Sequence, residues 1–310
     1  MTGDPGVAAD RAAGAPIGAG DEAPFRRLLA EFFESRLATV GLVVFGVIAL
    51  AALLAPLISP QNPYDLAQLD ILDGRLEPGA AGASGAIHWL GTDDQGRDML
   101  SAILYGLRIS LVVGAVSTAA ALLLGSTLGL VSAFFGGRLD ALIMRVADIQ
   151  LSFPAILIAL ILIAVLGKGV DKVIVALITV QWAYYARTVR GAALVERRKE
   201  YIEAAISLAL SKTRILRRHL LPNCLPPLIV VATVQIARAI TLEATLSFLG
   251  LGLPITEPSL GLLIANGFDY IMSGRYWISF FPGIALLITI VSINLIGDQL
   301  RDILNPRLRR

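Results

Sequence analysis

The sequence predicts an all-α polytopic membrane protein with six transmembrane helices, and three observations carry that prediction. First, the 310 residues are 56% hydrophobic with a mean hydropathy of +0.73, and the apolar residues are gathered into blocks rather than dispersed among charges. Second, several blocks reach the roughly 20 apolar residues that a helix needs to cross a bilayer core of about 30 Å. Third, Lys and Arg fall mostly on one side of those blocks, as membrane topology requires. Backbone polar groups cannot stay unpaired in lipid, so the blocks read as helices rather than isolated strands.

The expected spans are Leu37–Ile58, Ile109–Phe135, Ala141–Leu166, Val173–Leu194, Leu225–Leu253 and Trp277–Gly297. The second and fifth are long and interrupted by Gly, so they are expected to tilt or fray at their ends. Residues 1–36 form an N-terminal tail and pre-helix; the first 24 are Ala/Gly-rich without an apolar run and are expected to be disordered. Arg26, Arg27 and Arg36 precede a first span too long for the apolar region of a cleaved signal, so residues 37–58 are expected to remain as an anchor. Residues 59–108, punctuated by Pro, Gly and Asp, read as a small exposed subdomain. Residues 109–298 read as a core of five helices, with a loop at 195–224 and a tail at 299–310. A short helix is expected near Leu260–Ile271.

With the N-terminus inside, 19 of the 26 basic residues lie on the cytoplasmic side, and both termini are cytoplasmic. The net charge of +2 is thereby explained by topology and by contact with lipid, and no nucleic-acid partner is expected. Cys224 is the only cysteine, which excludes an internal disulfide.

Catalytic chemistry is missing from the pattern. Gly167-Lys168-Gly169 lacks the upstream glycine and the Ser/Thr of a phosphate-binding loop, so the chain is not expected to hydrolyse ATP. His88 and His219 fall on opposite sides of the membrane, with no Cys/His cluster for zinc. His88 reads as an exposed loop residue and His219 as a solvated helix residue. No metal, cofactor or catalytic residue is expected on this chain.

The stretch from Glu200 to Asn223 is charged yet helical in pattern. Ile202, Ala205, Ile206 and Ala209 fall at helical spacing and make one narrow apolar face, and Ala204 and Ala205 keep the surface thin beside Glu203. Ser211 is placed to cap a second short helix, Thr213–Leu221, which Pro222 ends. The residues alone leave two readings open: a docking helix, or a basic amphipathic helix lying on anionic lipid headgroups.

Glu203-Ala204-Ala205, then Ala209, then Leu221-Pro222 resembles the E-A-A loop of ABC-importer permease subunits. "LGTDDQGRDMLSAILYGLRISL" (Leu90–Leu111), "LSFLGLG" (Leu246–Gly252) and "NLIGDQLRDILNPRLR" (Asn294–Arg309) are similar to the peptide- and nickel-type branch. The long segment at 59–108 favours the C-type over the B-type subunit of such importers. The resemblance implies the ABC-importer permease fold in a bacterial inner membrane. It implies that Tyr201, Ile202, Glu203, Ala204, Ala205, Ile206, Ser207, Ala209 and Ser211 form a coupling helix seated in an ATPase subunit. It further implies a B-type permease partner, two ATPase subunits carrying ATP and Mg, and an external substrate-binding protein. The expected cargo is a short peptide, with nickel, glutathione or oligopeptide import by the same machinery as the alternative and an ion-coupled secondary carrier as the reading from another class. Departures from the family pattern are Ala209 in place of Gly, Ala102 in place of Arg, Leu260 in place of Trp and Asn305 in place of Asp. The first affects the bend after the coupling helix; Ala102 and Leu260 are expected to alter lid or receptor contacts.

Polar side chains inside a span face a bundle interior or a pathway. Asp148, Gln235, Arg238 and Glu243 are the candidates, for the translocation path or for a subunit interface. Asp148 stands three residues after Arg145 and is expected to pair with it. Arg238 is about 20 Å along the helix from Leu225 and cannot reach a headgroup. Pro154 is expected to kink the third span.

Overall fold

The computed structural model describes residues 24–65 and 68–304. The tail expectations for residues 1–23 and 305–310 fall outside that range. The described chain is mostly helical: α1 (Pro24–Glu34), α2 (Arg36–Leu53), α3 (Ala55–Ile58), α4 (Met99–Phe135), α5 (Gly137–Ser152), α6 (Ala155–Leu166), α7 (Val170–Glu196), α8 (Glu200–Ser207), α9 (Lys212–Arg214), α10 (Leu221–Phe248), α11 (Leu260–Phe268) and α12 (Trp277–Leu304). A π-helical stretch, Ile215–Leu220, joins α9 to α10 without a break. Four helices are long and apolar enough to span a membrane: α2, α4, the α9–α10 rod and α12. The α5–α6 pair makes a fifth if it is one broken span.

Helix α4 starts at Met99, ten residues before the expected Ile109. Met99–Arg108 carries Ser101, Tyr105 and Arg108, which lower its hydropathy, but the Asp98 carboxylate accepts from the Ser101 N–H and fixes the start. At 1.5 Å per residue its 37 residues make a rod of about 56 Å, longer than a bilayer core is thick. Helix α7 is its principal neighbour. The approach is set by small residues one turn apart: a Cβ at Gly125 would stand 2.3 Å from the Trp182 carbonyl and one at Gly129 2.5 Å from that of Ala186. Helix α10 packs against both, α12 and α2 cover one flank, and α6 covers the other.

The third expected span does not merely kink. Helical conformation is disfavoured for the residue before a proline; Phe153 is extended, and the chain turns by 95° at Phe153-Pro154. Pro222, by contrast, ends nothing. Helix continues through Thr213–Leu221 into α10, and the π-helical stretch Ile215–Leu220 lies just before the proline.

The described residues of 59–98 form a cap over the start of α4. A two-residue antiparallel ladder pairs Ala80 with His88 and Ala81 with Ile87. His88 is not the exposed loop residue the sequence suggests: it is buried, with Nδ1 3.0 Å from Asp98 Oδ1. The Arg97 Nε donates to Asp93 at 2.6 Å, its Nη1 to the Ile255 carbonyl at 3.3 Å, and Trp277 Nε1 donates to the Thr92 carbonyl at 3.2 Å. One loop thereby ties the cap to the 254–276 connection. Ala102 and Leu260 are fully buried in one cluster with Met99, Leu263 and Trp277, so these two departures face the core and not a receptor.

Candidate functional site: the 197–223 insert and the intramembrane cavity

Helix α8 lies between the ends of α7 and the α9–α10 rod. Its apolar face divides in a way the periodicity does not reveal. Ile202 and Ala205 are buried against Tyr185, Val189, Ile215, Leu220 and Cys224 of the chain's own bundle. Tyr201, Glu203, Ala204, Ile206, Ser207, Ala209 and Ser211 are exposed. The free face is therefore Glu203, Ala204, Ile206 and Ser207, extended by Leu208, which is 74% exposed. Ile202 and Ala205, expected on the docking surface, hold the helix down instead.

The insert is fastened at three points. Tyr201 Oη donates to Glu196 Oε2 at 2.7 Å and accepts from Asn223 Nδ2 at 3.1 Å, which joins α7, α8 and α10. Lys199 Nζ meets Glu196 Oε1 at 2.6 Å. Arg197 Nη1 donates to the Ala133 carbonyl at 2.9 Å, in the last turn of α4. Partial burial opposes ionisation of Glu196, but hydrogen bonds from Lys199 and Tyr201 outweigh it and hold its carboxyl below the ordinary range. Burial and the Glu196 hydrogen bond push the Tyr201 phenol up to about 12, so it remains a donor.

Ala209 supplies the bend. Its φ is +53°, left-handed backbone that glycine adopts freely and alanine only at a cost of roughly 1–2 kcal/mol. The Ala209 N–H donates to the Ile206 carbonyl and the Leu210 N–H to that of Ala205, closing α8 as a glycine would. Ser211 occupies the N-cap position of α9, but its hydroxyl makes no cap bond.

The four polar candidates within the helices separate into two kinds. Asp148 pairs with Arg187 of α7 at 3.0 Å, not with Arg145. Glu243 is fully buried and accepts from Ser110 Oγ of α4 and Ser247 Oγ, both at 2.9 Å, so it is a satisfied carboxyl within the helix packing. Gln235 and Arg238 instead line a cavity of about 620 Å³ between α6, α7, α10 and α12. Among the described residues, no group of three His, Cys, Asp or Glu side chains is placed to hold a metal.

Residues 121–310 match the family model described as "Binding-protein-dependent transport system inner membrane component", and residues 23–78 match the "N-terminal TM domain of oligopeptide transport permease C". The chain belongs to the binding-protein-dependent transport system inner membrane components. It is a multi-pass permease subunit of that class. It is 43% identical to a putative peptide transport system permease protein of Brucella suis, over 87% of this chain and 88% of that one. It is 38% identical to the probable D,D-dipeptide transport system permease protein of Escherichia coli, over 88% of each chain. It is 36% identical to the dipeptide transport system permease protein of Alkalihalophilus pseudofirmus, over 92% of this chain and 91% of that one. Among solved structures, the inward-facing methionine ABC transporter MetNI superposes with a TM-score of 0.55 at 23% identity, over 67% of this chain and 98% of that chain, which establishes a shared fold.

Several residues of the two candidate sites are absent from the sequence-derived set. Leu208 is one; it falls off the helical apolar period, and its signal is a Leu left unexplained by that period, next to Ala209. Asn223 and Tyr184 are others, placed by long-range packing that no local pattern encodes.

Proposed function

We propose that this permease is the C-type subunit of an ATP-driven importer of short peptides. In this reading α8 is the coupling helix, and ATP is hydrolysed on two separate partner subunits. The chain crosses the membrane six times with both termini in the cytoplasm, the bent α5–α6 pair and the more polar α7 counting as spans three and four. A B-type permease completes the pore, an external binding protein delivers the cargo, and this chain carries no cofactor of its own.

The observation that carries the reading is the insert's geometry. A helix with an exposed face of Glu203, Ala204, Ile206 and Leu208 is fastened by Tyr201 and Arg197 to the ends of α7, α10 and α4. A push on that face reaches three long helices through hydrogen bonds rather than through a flexible linker. Peptide cargo is supported by the names of the relatives.

The test uses the assembled complex. Glu203→Lys and Ile206→Asp are expected to reduce co-purification of the ATPase subunits and peptide uptake at least 10-fold, while the permease still inserts and folds. Retention of both subunits and of wild-type uptake in both variants overturns the coupling role. Ala205→Trp is unsuitable, because Ala205 is buried in the bundle.

A further inference from the structure

Arg238 is a charge in an expensive place. Ten residues, about 15 Å, separate it from the end of α10 at Phe248, so a lipid headgroup is beyond its reach. It is exposed on the surface of this chain. Among the described residues no carboxylate pairs with it; the nearby acids are already engaged, Asp148 by Arg187 and Glu243 by serines. One hydrogen bond, Nη1 to Gln235 Oε1 at 3.3 Å, uses one of its five donors. The Tyr184 ring, 5.7 Å from Cζ, braces the guanidinium. An unpaired cation at this depth calls for an anion from outside the chain.

The cavity beside it supplies the shape. Its volume of about 620 Å³ lies within the range of about 300–1,000 Å³ typical of small-molecule sites. Arg238 is the one charged residue among the described residues that line it. Gln181, 97% buried, lines the same wall; its Oε1 accepts from Thr118, while its Nε2 has no hydrogen-bond partner. Asn294 adds a further amide from α12. The wall thus offers unspent donors and no acid.

We propose that Arg238 binds the C-terminal carboxylate of the peptide in transit. The guanidinium fork matches a carboxylate in a bidentate contact that a neutral C-terminal amide cannot reproduce. The ammonium end of the peptide has no acid on this wall and points toward the opposite subunit. The proposal rests on the reading of this chain as a peptide permease.

The experiment needs no binding protein and separates the two readings. In the assembled complex carrying Cys224→Ser, Thr241→Cys places a thiol in the cavity wall one turn from Arg238. Its modification by a charged methanethiosulfonate reagent is followed on this subunit by mass. Without ligand, labelling is expected within minutes; no labelling means that no water-filled path reaches Thr241, and both the pathway reading and the carboxylate site fall. With millimolar alanyl-alanine the labelling rate is expected to drop at least 5-fold, and with alanyl-alanine amide less than 2-fold. Arg238→Gln is expected to erase the difference and Arg238→Lys to restore part of it. Labelling that both compounds slow equally, that neither slows, or that remains carboxylate-selective in Arg238→Gln overturns the carboxylate site while leaving the pathway in place. Loss of the partner permease from both Arg238 variants overturns it too, by assigning the counter-charge to that subunit.

Discussion

The 59–98 cap and the 197–223 insert are both charged interruptions of an apolar chain, yet they handle charge in opposite ways. In the cap Asp70, Arg75 and Glu77 stay exposed, but one set of ions turns inward: Arg97 and Asp93 are 1% and 0% exposed, and His88 is buried beside Asp98. In the insert they turn outward, with Glu200, Glu203, Arg214, Arg217 and Arg218 all exposed. A buried pair strongly penalises the loss of one partner, whereas an exposed charge contributes little to stability. The cap is therefore built to be a fixed structure. The insert presents an exposed surface whose alteration is expected to leave folding nearly untouched.

The largest effect is expected where that contrast is sharpest. Arg97→Ala strands Asp93 in the core and is expected to cost about 3–5 kcal/mol, read as a lower thermal midpoint and protease cleavage within 59–98. Leu208→Asp in the insert is expected to shift the midpoint hardly at all but to release the ATPase subunits; a stability loss as large as that of Arg97→Ala would erase the distinction. Tyr201→Phe removes the hydroxyl between Glu196 and Asn223, for about 1 kcal/mol of stability. Its diagnostic sign is ATP hydrolysis that persists while uptake falls.

Ala209→Gly is expected to stabilise the insert by at most about 1 kcal/mol, since relief of the left-handed alanine is partly offset by glycine's extra freedom in the unfolded chain. The smallest effect is on pH. The Glu196 carboxyl is held below its ordinary value of 4.5, so its contribution is complete above that value and is lost as pH falls below it. The protection factors of the Tyr201 and Ile202 amides, taken relative to the intrinsic exchange rate at each pH, are expected to fall on acidification below about pH 4.5, and Glu196→Gln to flatten the response.

What the sequence conveyed, and what it withheld, divides along the same line between local and distant contacts. Apolar length locates the helical blocks, and the apolar stretch near Leu260 yields α11. Helical periodicity also assigns the insert to a helix, and the resemblance to the family's motif places its bend at Ala209. Hydropathy misplaces the start of α4, because Asp98 capping and not apolarity sets it. The partners of Asp148, His88 and Glu243 come from other elements, and spacing along one helix cannot anticipate them. The exposed face of α8 was half legible: periodicity collects Ile202, Ala205 and Ile206 on one side, but only packing shows that the first two belong to the bundle. Of the four intramembrane candidates, only Gln235 and Arg238 reach the cavity.

Helix α4 carries one more implication. Its first turn is anchored in the cap through Asp98, and its last turn is gripped by Arg197 at the Ala133 carbonyl. An unbroken rod of about 56 Å behaves as a seesaw: a tilt of about 5° around its middle displaces each end by about 2.4 Å in opposite directions. A displacement imposed at either end of the rod would therefore reach the other through one continuous helix, without passing through the cavity, which α4 does not line.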